Sequence, residues 1–163
     1  MVTGLTPVLP RGQTFSKASI IFVYCHTKGC EVTDSSTDSE LVNDLGEPRN
    51  GSMDSYEILT GLVQALYPRK PYCLVEDWTI FRAEVTEDEL QKIHDEGQLP
   101  LIVYARNVVF DSQRRFDVGD WVRSTFAVSF EKGFLFETRN TTYVLMGPGH
   151  EKAASLKTVL SFF

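Results

Sequence analysis

The stretch from Leu101 to Met146 most constrains what this chain can fold into, because almost none of it has a pattern that a helix could use. LIVYARNVVF (101–110) is apolar and β-branched, and reads as one long strand or two joined by a bulge near Arg106 and Asn107. DSQRR (111–115) is a polar turn. GDWVRSTFAVSF (119–130) alternates, placing Val122, Phe126, Val128 and Phe130 on one side. EKG (131–133) reads as a hairpin turn with a glycine free to take positive φ. FLFET (134–138) returns, Arg139-Asn140 turns, and TTYVLM (141–146) returns again. Gly147-Pro148-Gly149 is expected to break the sheet. The tail 150–163 then reads as a short helix through Ala153, Leu156, Val159 and Leu160, with a final strand as the alternative.

Two helices are expected ahead of this β-rich half. Over residues 54–67, Asp54 can cap and Glu57 can complete a capping box. Ile58, Leu62 and Leu66 recur every fourth residue, Leu59 and Val63 widen the stripe, and Pro68 ends it. YPRKP (67–71) is a stiff connector. YCLV (72–75) and WTIFRAEV (78–85) read as strands around an acidic turn at Glu76 and Asp77. Thr86-Glu87-Asp88-Glu89 has the S/T-x-x-E signature of a second helix start, with three carboxylates where the helix dipole favours them and Gly97 as the stop. That carboxylate cluster has a structural explanation and is not read as a catalytic pair.

The expected fold class is α+β: an antiparallel β meander of about four or five strands with two or three helices packed on it. Residues 1–52 divide into a Pro- and Gly-containing arm, a strand at 18–25 (ASIIFVYC) and a long polar loop at 26–52. Residues 53–163 form the α+β core, and the two parts make one domain. At 163 residues the chain can bury a core without metal or disulfide staples.

The net charge is −6, and its distribution is uneven. Residues 31–60 hold Glu31, Asp34, Asp38, Glu40, Asp44, Glu47, Asp54 and Glu57 against Arg49 alone. Direct nucleic-acid binding rests on a basic stripe that displaces counterions, so this field argues against it. It favours a protein partner with a basic face, which an acidic surface would steer into contact. Candidate partner-binding residues are Asp34, Asp38, Glu40, Asp44 and Glu47 in the acidic stretch, Glu87 and Asp88 at the helix start, and Arg114, Arg115, Trp121 and Arg123 in the β half. Alternation puts Arg123 on the opposite face from Val122, and an exposed Trp121 beside Arg123 would be an interface anchor.

Catalytic signatures are sparse. The nucleophile elbow, phosphate loop, zinc-protease and dinucleotide motifs do not occur. There are three cysteines (Cys25, Cys30, Cys73) and three histidines (His26, His94, His150). Cys25, His26 and Cys30 lie close together, but CHxxxC fits no standard zinc knuckle. The expectation is therefore a protein that is not an enzyme, with no cofactor and no metal; a Cys/His enzyme or small zinc protein is the alternative. No apolar run reaches the length of a membrane helix and the N-terminus lacks a signal pattern, so a cytoplasmic protein with no membrane partner is expected. A homodimer would use strand 101–110 as its edge.

YCLVEDW (72–78), RNVVFDSQRRFDVGDWVRS (106–124) and FETRNTTYVLMGPGHEK (136–152) resemble a small uncharacterised domain family of pseudomonads and their mobile elements. The likeness covers roughly residues 72–160. No activity is defined for that family, so no catalytic residue carries over. It implies a context of accessory genes in which phage-encoded inhibitors and immunity proteins are common. With the acidic charge, that context suggests an inhibitor of a host complex, anti-CRISPR-like, whose acidic surface mimics nucleic acid. A toxin-neutralising immunity protein is the alternative.

Overall fold

The computed structural model describes residues 46–161. The strand expected at 18–25, most of the polar loop, Cys25, His26, Cys30, Asp34, Asp38, Glu40 and Asp44 lie outside the described residues. In chain order the elements are β1 (Glu47–Asn50), α1 (Tyr56–Leu66), β2 (Tyr72–Glu84), α2 (Glu87–Asp95), β3 (Leu101–Asp111), β4 (Val122–Arg123), β5 (Ala127–Glu131), β6 (Leu135–Thr138), β7 (Thr142–Leu145), β8 (Pro148–Ser155) and α3 (Leu156–Ser161).

The class is α+β, as expected, but among the described residues the sheet has eight strands and is not a simple meander. β5, β6 and β7 do follow one another antiparallel. β2 pairs antiparallel with β3 on one edge. Its other edge is shared by β7, opposite Tyr72–Val75, and β8, opposite Trp78–Glu84, and both pairings are parallel. Ala127, at the start of β5, is bridged to Leu99 just ahead of β3. The ladder therefore runs from β3 through β2, β7, β6 and β5 and back to the β3 entry, which closes it into a small barrel. Cys73, Val75, Trp78, Val108, Phe136 and Leu145 belong to the one buried cluster inside.

The acidic turn expected at Glu76-Asp77 is a bend within the continuous β2. Val75 and Trp78 are three residues apart, yet both join the interior cluster, as do their partners Val108 and Ala105. Asp77 takes a φ of 49°, which lets the strand change its inward face without ending. On the facing strand, the Asn107 amide donates to Glu76 (3.0 Å) and Arg106 lies 3.9 Å from Asp77. The register shift falls next to this bend, between Leu74 and Val75, where Val109 is the extra residue of β3.

Other expectations change in similar ways. Gly147-Pro148-Gly149 does not end the sheet, since Pro148 opens β8, where a missing N–H is tolerated. Much of the expected terminal helix is the rest of β8, and α3 is confined to six residues. The predicted strand at 119–130 is split into β4 and β5. Ser124 stops it by exchanging hydrogen bonds with Val103, donating its backbone N–H (2.8 Å) and accepting at its hydroxyl (2.9 Å). As a result Val122 and Ala127 face the core, while Phe126 packs against the α3 cluster. Strand 101–110 is not a free edge, because β2 flanks one side and β4 and residues 119–124 bond to the other.

Both outer helices are amphipathic. α1 starts after Ser55, whose side chain makes no cap; Asp54 instead turns back to the Ser52 hydroxyl. Leu59 and Val63 are buried against Tyr72, Leu74, Leu135 and Val144, each worth about 1.5–3 kcal/mol. Ile58 and Leu66, expected in the same stripe, are exposed. α2 has the full capping box: the Thr86 hydroxyl accepts from Glu89 N–H and the Glu89 carboxylate accepts from Thr86 N–H. Gly97 follows it at a φ of 68°.

Candidate functional site: the loop joining β3 to β4

β3 ends at Asp111, whose side chain is fully buried. An isolated carboxylate there would be costly, and four donors prevent that. Arg115 supplies its backbone N–H (2.6 Å), Nε (3.0 Å) and Nη2 (2.6 Å), and the Gln113 N–H also bonds to it. Burial pushes the Asp111 carboxyl up, but these bonds and the Arg115 charge outweigh it and hold the group below the ordinary carboxylate range. The bond to Asp111 raises Arg115 in turn. Arg115 Nη1 donates to Thr141 Oγ1 (2.8 Å), and the guanidinium lies 5.6 Å from the Phe116 ring centre.

The far end of the loop is held as well. Asp117 N–H donates to the Asp120 carboxylate (2.8 Å) and Asp120 N–H to Asp117 O (3.1 Å). Val108 N–H bonds Asp120 O (2.8 Å), and Gly119 N–H, at a φ of 93°, bonds Val108 O (2.9 Å). The 117–120 turn presents Val118 (78% exposed), and Trp121 (50% exposed) follows it directly. The Trp121 ring lies 6.2 Å from Tyr104. Phe116, Asp120, Trp121, Val122 and Arg123 line a depression of about 450 Å³.

The sequence-predicted residues fall into different roles. Arg115 is exposed on its turn, as expected, and its guanidinium is paired with the nearby Asp111 and bonded to Thr141. Arg123 points away from the core, as alternation required, and its Nη1 reaches the Val159 and Leu160 carbonyls at 3.4 Å near the end of α3. Trp78 is core and donates Nε1–H to Met146 O (3.0 Å), whereas Trp121 is at the surface. Glu87 and Asp88 are exposed at the start of α2, and Glu47 is exposed on β1 beside Arg49 (3.7 Å). Arg114 is exposed at a φ of 54°. Trp121, Arg123 and Arg114 share the loop or its exit strand; Glu47, Glu87 and Asp88 belong to other elements.

The thiol of Cys73 lies in the core, opposite Asp111 in the β2–β3 register. Burial, with the Asp111 charge adding, pushes it up to about 12. Tyr143 is pushed up to about 12 as well, first by burial and then by Cys73. Neither is activated as a nucleophile or base at neutral pH. Among the described residues, no group of three or more His, Cys, Asp or Glu side chains could hold a metal ion, and no helix is long and apolar enough to cross a membrane.

Fold and loop together define an α+β barrel domain with a pinned, apolar-tipped loop. Residues 50–161 match the domain of unknown function DUF6957, and the chain belongs to that family. No curated protein and no solved structure matches it.

Proposed function

We propose that this protein is a non-catalytic protein-binding module whose docking element is the loop 112–121. One observation carries the reading: Val118 is exposed and Trp121 half-exposed on a backbone fixed at both ends. Tryptophan is enriched at binding hot spots, and a prearranged loop avoids most of the ordering cost of association. The chemistry of the interior supports the same reading. Asp111 is occupied by Arg115, and Cys73 is held as a thiol.

Within this reading, the finer proposal is an inhibitor of a host complex, of the anti-CRISPR or other anti-defence kind, encoded on an accessory or mobile element. A toxin-neutralising immunity protein uses the same physics on another target. Exposed Glu87, Asp88 and Glu47 would add electrostatic steering toward a basic partner.

The test is an affinity pull-down with tagged protein at low and moderate salt, comparing wild type, Trp121→Ala and an E87K/D88K variant. A stoichiometric partner lost with Trp121→Ala and weakened by salt and by the charge reversal is expected. A partner retained equally by Trp121→Ala would remove the loop from the interface.

A further inference from the structure

We propose a second docking surface, for a carboxylate-rich peptide of a partner protein, along the Tyr67–Pro71 connector at one end of the barrel. It goes beyond the Trp121 loop tip: Gln113 and Arg114 open the same loop, but Val118 and Trp121 line neither depression.

Three segments meet at this end. Ser112 N–H donates to Tyr72 O (2.9 Å), Tyr72 N–H to the Ser112 hydroxyl (2.9 Å) and Thr142 N–H to Pro71 O (2.9 Å). Shallow depressions of about 530 and 470 Å³ flank the connector. Arg69 and Lys70 border both; Arg139 and Asn140 close one, and Gln64 and Gln113 line the other. Pro68 and Pro71 restrict the connector backbone, so the groove walls are fixed before a ligand arrives.

The charges are unequally spent. Lys70 pairs with Glu137 (2.6 Å) and Arg139 with Glu96 (3.1 Å). The Arg69 side chain is exposed and makes no hydrogen bond or ion pair among the described residues, and the same holds for Arg114. Arg114 follows Gln113 in a left-handed conformation unfavourable for a residue with a Cβ. That conformation is held by its own N–H on Asp111 O (3.1 Å) and by the adjoining Arg115–Asp111 pair. In a chain with a net charge of −6, Arg69 on the connector and Arg114, next in sequence to the lining residue Gln113, thus keep uncompensated guanidinium groups. A guanidinium matches a carboxylate with two parallel hydrogen bonds, and the amides of Gln113 and Asn140 can bond the peptide backbone. An acidic peptide suits this better than a polyphosphate chain, because a few local guanidinium groups can pair with single carboxylates whereas a polyphosphate needs a longer basic track.

The experiment is fluorescence anisotropy on the full chain with a labelled glutamate-rich peptide, its glutamine counterpart and a single-stranded oligonucleotide of similar length. The glutamate peptide should bind tightest, weaken with salt, and lose about tenfold in affinity in an R69E/R114E variant, the size expected for reversing two exposed ion pairs. Both arginines are exposed, so an unchanged melting temperature should accompany that loss; R69Q/R114Q provides a milder second variant. The proposal is overturned if the glutamate peptide does not bind, if the glutamine peptide or the oligonucleotide binds as well, or if neither variant alters binding. Failure here leaves the Trp121 reading untouched, because Trp121→Ala in the pull-down reads the loop tip, which neither arginine variant alters.

Discussion

The two tryptophans occupy opposite environments. Trp78 is 1% exposed, its indole N–H satisfied by the Met146 carbonyl and its ring lying against Gly149 on the neighbouring strand. Trp121 is 50% exposed on a loop tied down by an ion pair at one end and backbone bonds at the other. Around Trp78 the surroundings are shaped to bury the ring, down to a glycine where any side chain would collide with it. Around Trp121 the chain is equally well fixed, but fixed so as to leave the ring half out of the core. An ordered backbone with an aromatic at its surface is what a binding role requires and what a stability role does not.

The largest expected effect would come from dismantling the first environment. Trp78→Ala should cost about 3–5 kcal/mol, read as a fall in denaturant midpoint, because it opens a cavity inside the barrel and orphans the Met146 carbonyl. A smaller loss would break the loop anchor: Asp111→Asn should cost about 2–3 kcal/mol, since it removes the charge that Arg115 is built around. The pH dependence has a definite sign. The folded Asp111 carboxyl lies below its unfolded value, so its contribution is fully present above an unfolded pKa of about 3.9 and is lost as pH falls through the folded value. Acid titration of stability should therefore be flatter in Asp111→Asn than in wild type, and an unchanged acid limb would contradict the anchor.

Two glycines sharpen the contrast. A Cβ on Gly149 would sit 2.3 Å from the Trp78 ring, so Gly149→Ala should destabilise by about 1–3 kcal/mol. A Cβ on Gly61, within α1, meets nothing within 4 Å, so Gly61→Ala should raise stability by about 0.5–1 kcal/mol. Equal effects at the two sites would mean that Trp78 does not lie on the β8 backbone.

These residues also show what was legible in the sequence. Local signals came through: the Thr86 capping box, the Gly97 stop, the turn at Lys132-Gly133 and the fold class. Signals that depend on distant chain did not. Gly147-Pro148-Gly149 reads as punctuation because the usual reason for glycine in a strand, an approaching side chain, lies on Trp78, 71 positions away in sequence. The parallel pairing of β2 with β7 and β8 leaves no mark in local alternation, so a meander was the natural expectation. Glu76-Asp77 and Arg106-Asn107 were both picked out as irregular, but not that they face each other across one bend. At the loop, the nearness of Asp111 and Arg115 in sequence makes an ion pair between them a ready expectation, and the pair forms; what the spacing gave no hint of is that the acid would be buried.

Trp121→Ala carries the smallest effect on stability and the most weight for function. The side chain it removes is half in solvent, and Asp111, Arg115, Asp117 and Asp120 anchor the loop independently of the indole's contact with Tyr104. Stability should thus change by no more than about 0.5 kcal/mol, as for surface substitutions generally. Binding should fall much further, by about 2 kcal/mol or more, if the indole is the hot spot of the interface. The separation of the two readings is what matters. A drop in stability comparable to that of Asp111→Asn, with binding to a recovered partner intact, would make Trp121 a cover for the Tyr104 side of β3 and would move the interface elsewhere. Intact stability with lost binding would establish that the loop's order serves a surface and not the core.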